Sequence, residues 1–224
     1  MQIKSLAKNG LFWLVLLVLL ILRRPDQLFH AYIWDEDKNI ILQWFELGTL
    51  KTFLAPINGY LVTVPKLINY FGLKLSFAYY PEISTGLAIL FNLFSILMVA
   101  YAPNLVGWRK LAALAVIVVP TGAEIYILPL YTLWFAGLLL IIVLLWQMTP
   151  ETKGWYLMRA LLVCIGGSSS PLIVALMPAF WLRFIILKRR REAIIAAMST
   201  VLLLFKDGSS MPIRPPLTLP KVII

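Results

Sequence analysis

Two long uncharged runs constrain this chain more than anything else in it. Ile83–Tyr101 covers 19 residues and Ile125–Pro150 covers 26, and neither contains an Asp, Glu, Lys or Arg. A helix needs about 20 apolar residues to cross the hydrocarbon core of a bilayer. Only helices and closed barrels can satisfy every backbone polar group there, so runs of this length read as membrane helices. Composition points the same way: 61% of residues are hydrophobic and 13% charged, with a mean hydropathy of +0.88. An ordinary soluble domain is nearer half apolar and a quarter charged. The fold class expected is all-α, a polytopic transmembrane helical bundle.

Twenty Lys and Arg against ten Asp and Glu leave a net charge of +10. In a soluble domain that excess would suggest nucleic acid. Here the cations fall between hydrophobic runs, where they orient the chain and touch membrane lipids, so no nucleic-acid partner is read from them. The single cysteine, Cys164, cannot form an internal disulfide. The lone histidine, His30, has no cysteine or second histidine for a metal site and is expected to be buried or interfacial. The apolar run Leu11–Leu22 follows Lys4 and Lys8 and ends at Arg23-Arg24-Pro25, with no small-residue cleavage pattern. It reads as a retained first span rather than a removed signal.

Charge favours one of two sets of spans, although Arg23, Arg24, Lys51, Lys66 and Lys74 count against it. With the N-terminus cytoplasmic, spans at 6–22, 82–101, 111–123, 130–147, 155–167 and 171–187 put Arg109, Lys110, Lys153, Arg159 and Lys188–Arg191 inside. Asp35, Glu36, Asp37, Glu46, Glu82 and Glu124 then fall outside. The alternative, in which 58–77 spans and 160–187 is one helix, moves Arg109, Lys110 and Lys153 outside. The preferred arrangement needs a hairpin turn at Gly166–Pro171. It divides the chain into a first helix (1–22), an extracytoplasmic loop (23–81), a helical bundle (82–192), and an incomplete span with a proline-rich tail (193–224). The 13 apolar residues Ala193–Phe205 reach only about 20 Å at 1.5 Å per residue, so any function read here is expected to belong to a longer parent.

The loop 23–81 carries helical periodicity. In 39–48, Ile40, Ile41, Trp44 and Phe45 share one face, and Asn39, Gln43 and Glu46 the other. In 60–73, Leu61, Val64, Ile68 and Phe71 face one way, and Thr63, Lys66 and Asn69 the other. Two such helices would lie in the membrane interface, apolar side down.

Ahead of them stands Trp34-Asp35-Glu36-Asp37. Crowded carboxylates raise one another's pKa, which near a low-dielectric interface suits a general base for a hydroxyl. In an extended stretch Asp35 and Asp37 would point the same way and could hold a hard divalent cation such as Mg or Mn. Asp37 also stands where a carboxylate satisfies free amides at a helix start, and the spacing leaves both readings open. Glu124 sits at a span end, where it is either a functional intramembrane acid or a side chain reaching the headgroups. Arg183 is expected to snorkel to the cytoplasmic interface. The Trp and Tyr residues are expected as interface anchors.

The order of these parts resembles the GT-C superfamily of membrane glycosyltransferases, especially bacterial and phage enzymes acting on surface polysaccharide. Glu36-Asp37 stands where the family has its paired acids. Gly59-Tyr60-Leu61 with Val64-Pro65-Lys66-Leu67-Ile68 is similar to its "GYLhxxPRLI" stretch. Pro120, Glu124-Ile125-Tyr126 and Leu133-Trp134-Phe135 resemble "P…EVF…QWF", and Ser170-Pro171, Pro178 and Leu182-Arg183 resemble "GPfsllllPlfllR". Two departures matter. Ile127–Leu130 are apolar where the family carries polar residues, and Lys66 replaces an arginine, losing the planar fork suited to phosphate.

The resemblance implies an inverting transferase in the bacterial inner membrane, moving a sugar from a polyprenyl-phosphate donor to a glycan or lipid-linked acceptor such as O-antigen. An acid cluster on the outer face fits a flipped lipid carrier, since nucleotide sugars stay in the cytoplasm. Asp37 and Glu36 would be catalytic, with Asp35, Tyr60, Lys66 and Glu124 binding substrate. The competing class is a non-enzymatic membrane protein, either a small transporter or flippase subunit or an accessory part of polysaccharide assembly.

Overall fold

The computed structural model describes residues 2–103, 106–119, 122, 125–147 and 152–207, and these are all-helical with no strands among them. Eleven helices appear in this described part: α1 (Gln2–Leu22), α2 (Pro25–Phe29), α3 (Asp37–Leu47), α4 (Thr49–Leu54), α5 (Thr63–Leu75), α6 (Tyr80–Tyr101), α7 (Arg109–Val118), α8 (Thr132–Leu144), α9 (Lys153–Ser169), α10 (Leu172–Leu187) and α11 (Arg190–Asp207). Only α6 is both long and apolar enough to cross a membrane. Asn9–Leu22, Thr132–Leu144 and Leu172–Leu187 are shorter apolar helices. Of the six spans expected from sequence, the one at 82–101 matches a helix of full membrane-crossing length among the described residues.

The main core joins Leu16 and Leu20 of α1, Ile96 of α6, Ile117 of α7, Leu139 and Val143 of α8, Leu162 of α9 and Ile195 of α11, all nearly or wholly buried. Small residues let these helices approach closely. A Cβ added at Gly166 would stand 2.7 Å from the Ala136 carbonyl oxygen, and one at Gly137 would stand 2.6 Å from Ser170 Oγ. The pair Gly166-Gly167, read from sequence as part of a turn, thus lies inside α9 and serves packing. The turn is Ser170-Pro171, where proline opens α10.

α5 spans only 13 residues and is seated on the α9–α10 turn: Ser169 Oγ accepts from the Val64 amide at 3.0 Å, and Thr63 Oγ1 donates to the Ser168 carbonyl at 3.3 Å. At 13 residues α5 is about 20 Å long, short of the roughly 30 Å hydrocarbon core. Its polar face is covered too. Lys66 and Asn69, expected on the wet side of an interfacial helix, are both 0% exposed, because α3, α4 and α6 pack over them. The loop holds four helices, α2 to α5, rather than two. Thr52 fastens α4 to α3 by donating to the Gln43 and Gly48 carbonyls, both at 2.7 Å, and Trp44, Phe53 and Tyr70 stack edge-on and tilted between α3, α4 and α5.

Several aromatics assigned to the interface belong to the core: Tyr80, Tyr126 and Trp146 are at most 2% exposed. His30 is exposed. Arg183 does not snorkel. Its guanidinium donates to the Leu144 carbonyl at 2.7 Å and to Glu192 at 3.0 Å, which holds the end of α8 to the α10–α11 hairpin. Arg159 of α9, placed by charge on the cytoplasmic surface, is 1% exposed and grips the same carboxylate with both Nη atoms, at 3.0 and 2.7 Å. A buried ion pair is tolerable only when its charges are matched and bonded in this way.

Candidate functional site

The acidic cluster divides as soon as it is folded. Asp35 is exposed and paired with Lys38, and Glu36 is exposed with no side-chain bond to the helix start. Asp37, the first residue of α3, turns inward to 1% exposure. Its partner is not the helix end but Asn69 of α5, whose Nδ2 donates to Asp37 Oδ1 at 3.3 Å and to the Pro65 carbonyl at 2.8 Å. Asn69 Oδ1 in turn accepts a hydrogen bond from the Tyr80 hydroxyl at the start of α6. Every polar atom of the Asn69 amide is used, which fixes both its orientation and that of the carboxyl beside it.

Asp37 Oδ2 makes no hydrogen bond. Burial penalises the ionised form and pushes the carboxyl up to about 7. The Asn69 amide opposes the shift, the nearby Glu36 charge adds to it, and the Leu130 backbone amide opposes it more weakly. An acid near pH 7 with one unoccupied oxygen has the properties of a general base. The capping reading of Asp37 has no bond to support it.

Lys66 lies one turn before Asn69 on the same side of α5, the spacing at which helical side chains are neighbours. It is fully buried, its ammonium donates to the Ala55 carbonyl, and desolvation lowers it to about 8, so it stays mainly charged at neutral pH. Tyr60 is half-buried at the end of an Asn58-Gly59 turn. Both turn residues have positive φ, and paired bonds link Ile57 and Tyr60 at 2.7 and 2.9 Å. That is the hairpin geometry an Asn-Gly dipeptide favours. Tyr60 sits with Leu61 beside Ser168–Ser170, next to the foot of α5. Glu124 lies outside the described residues.

Two β-branched residues flank this site in the left-handed region, Val62 at φ 44° just before α5 and Ile127 at φ 56°, three residues before Leu130. Side chains of that shape rarely adopt such φ values, and strained backbone tends to collect at working sites. The two acids offered as cation ligands, Asp35 and Asp37, are not brought together. Asp35 is turned to Lys38 while Asp37 is inside, and among the described residues no three His, Cys, Asp or Glu side chains gather.

Sequence periodicity placed Lys66 and Asn69 together on one face but could not tell that the face is covered. Asn69 and Tyr80 carried no signal of their own, beyond an Asn in an apolar helix that would need partners. No protein-family model, curated protein or solved structure matches the chain.

Proposed function

We propose that the protein is an integral membrane glycosyltransferase of the inverting, GT-C-like type, using a polyprenyl-phosphate sugar and an extracytoplasmic glycan or lipid-linked acceptor. In this reading α6 and the shorter apolar helices form a polytopic bundle in the bacterial inner membrane, with a cytoplasmic N-terminus and with α3, α4 and α5 on the outer face. The observation that carries it is Asp37: a buried carboxyl poised near pH 7, aimed by Asn69 and Tyr80, with one oxygen unengaged.

Asp37 Oδ2 takes the proton of the acceptor hydroxyl while the hydroxyl oxygen forms its bond to the anomeric carbon. The bond from that carbon to the phosphate oxygen breaks on the opposite side, and the lipid phosphate leaves with the electron pair. Lys66, still charged, offsets the negative charge that develops on it. Because Asp37 is closed in this conformation, the acceptor reaches it only when the cover over α3 moves, a gating step common in enzymes that exclude water.

The test is sugar transfer from a polyprenyl-phosphate donor in membranes containing matched amounts of each variant. Asp37→Asn keeps shape but removes the proton acceptor, so about 10²–10⁴ in rate is lost. Transfer by the protein with Asp37 intact rises with pH through about 7, as the carboxyl ionises. Near-normal turnover in Asp37→Asn, alone or with Glu36→Gln, refutes the assignment. The same closure of Asp37 favours a second reading, a non-enzymatic accessory of polysaccharide assembly in which the Asp37–Asn69–Tyr80 network only ties α3, α5 and α6 together.

A further inference from the structure

A second feature lies at the other end of α6 from Tyr80 and Asp37. A groove of about 460 Å³ opens where the C-terminal end of α6 meets the start of α7, lined by Ala100, Tyr101, Gly107, Trp108, Arg109 and Lys110. That size falls within the roughly 300–1,000 Å³ of small-ligand sites. No carboxylate lines it.

Its two cations are held but not neutralised. Arg109 Nη1 donates to the Ala102 carbonyl at 2.9 Å, and Lys110 Nζ donates to Asn9 Oδ1 at 3.2 Å. The ammonium also lies 5.2 Å from the Phe12 ring centre and 5.8 Å from that of Tyr101. Among the described residues neither cation has an acidic partner. Two positive charges therefore border one cleft with neutral acceptors only.

Indole rings mark the level at which the cleft sits. Trp108 is 78% exposed, and Trp13, half-exposed, donates Nε1 to the Tyr101 hydroxyl at 3.0 Å. Tryptophan and tyrosine with Lys and Arg beside them are what a helix presents at the headgroup layer. α6 has 22 residues, about 33 Å at 1.5 Å each, close to the roughly 30 Å hydrocarbon core. If Tyr80 stands at one face of a bilayer, Tyr101 and the groove stand at the other.

We infer that this groove binds the phosphodiester headgroup of an anionic glycerophospholipid in the leaflet opposite Asp37, with Arg109 and Lys110 on the phosphate and Trp108 against the glycerol and upper acyl carbons. The inference rests on α6 crossing a bilayer and not on sugar transfer. Free phosphate shares the charge but has nothing for Trp108 to cover, so the lipid is the ligand.

The experiment uses the full chain in neutral detergent micelles, titrated with brominated phosphatidylglycerol, brominated phosphatidylcholine or inorganic phosphate. Quenching assigned to Trp108, as the difference from a Trp108→Phe variant, should saturate with phosphatidylglycerol and respond weakly to phosphatidylcholine. Each basic residue at an anionic surface strengthens binding about five-fold, so R109Q/K110Q should raise the half-point about thirty-fold. R109K/K110R should restore it, and K188Q/R189Q, which removes the same charge elsewhere, should leave it in place. Equal quenching by both lipids, or an unchanged half-point in R109Q/K110Q, overturns the site while leaving a bilayer-crossing α6 intact. No quenching of either Trp13 or Trp108 by any brominated lipid overturns the membrane reading itself, and competition by millimolar inorganic phosphate overturns the lipid as ligand.

Discussion

Asp37 and Glu192 are the acids that this fold withdraws almost wholly from water among the described residues, at 1% and 5% exposure, and they meet opposite environments. Glu192 is surrounded: Arg159 and Arg183 give it contacts at 2.7, 3.0, 3.0 and 3.4 Å. Burial alone would raise its pKa, but the two guanidiniums outweigh that and hold it below the usual carboxylate range. Asp37 meets amides instead, that of Asn69 at 3.3 Å and more weakly that of the Leu130 backbone, and it keeps Oδ2 without a partner and a pKa near 7. Equal burial thus produces a structural tie in one place and a proton acceptor in the other. The charge of the partners makes the difference.

Removing the tie should have the largest effect. Glu192→Gln leaves two guanidiniums buried without a counter-charge and should cost about 3–5 kcal/mol of stability, measured as thermal unfolding in detergent. Adding Arg159→Met should recover much of the loss. If Glu192→Gln is nearly neutral, the two acids do not differ in the way described.

Next comes pH. Asp37 has a folded pKa above its unfolded value of 3.8, so its ionisation works against the fold: stability falls as pH rises from about 4 to 7 and levels off above. Glu192 has the opposite sign, contributing stability above its unfolded pKa near 4.5 that is lost as pH falls through its lower folded value. Across pH 4–7 we expect a decline of a few kcal/mol that is absent in Asp37→Asn and still present in Glu192→Gln. A decline that survives in Asp37→Asn assigns it to another group.

A smaller effect sharpens the role of Asn69. Asn69→Ala removes the amide that favours the ionised carboxyl, so the Asp37 midpoint should move above 7, followed by isotope-edited infrared of the carboxyl. Leaving the Asp37 and Tyr80 polar atoms unsatisfied should cost about 1–3 kcal/mol. Glu36→Gln should do least: it is exposed and caps nothing, so stability should stay within about 0.5 kcal/mol. A large loss of transfer in Glu36→Gln alone would move the base one residue along.

Much of the helix plan was legible because apolar runs end at prolines, glycines and charges. Tyr80–Tyr101 and Leu172–Leu187 fall within two residues of where run length put them, while the helix expected over 60–73 begins at Thr63, after the Asn58-Gly59 turn. Burial was less legible. A 3.6-residue period assigns Lys66 and Asn69 to one face but does not say what that face meets, and α5 turned out to be sandwiched. The Arg159–Glu192 pair was hidden by 33 residues of separation. Its trace was an arginine inside an otherwise apolar run, which is costly unless something answers it, and a single acid following Lys188–Arg191.

The two tyrosines bounding α6 make that helix a gauge of angle as well as of length. Tyr80 and Tyr101 are 21 positions apart, which at 100° each leaves them about 60° apart in azimuth. One hydroxyl engages Asn69 beside the acid, and the other engages Trp13 beside the basic groove. Inserting or deleting one residue anywhere in α6 would swing one end about 100° against the other and shift it about 1.5 Å. The chemistry at the two ends can therefore vary by substitution but not by length, because a change of phase at one tyrosine is carried along the whole shaft to the other.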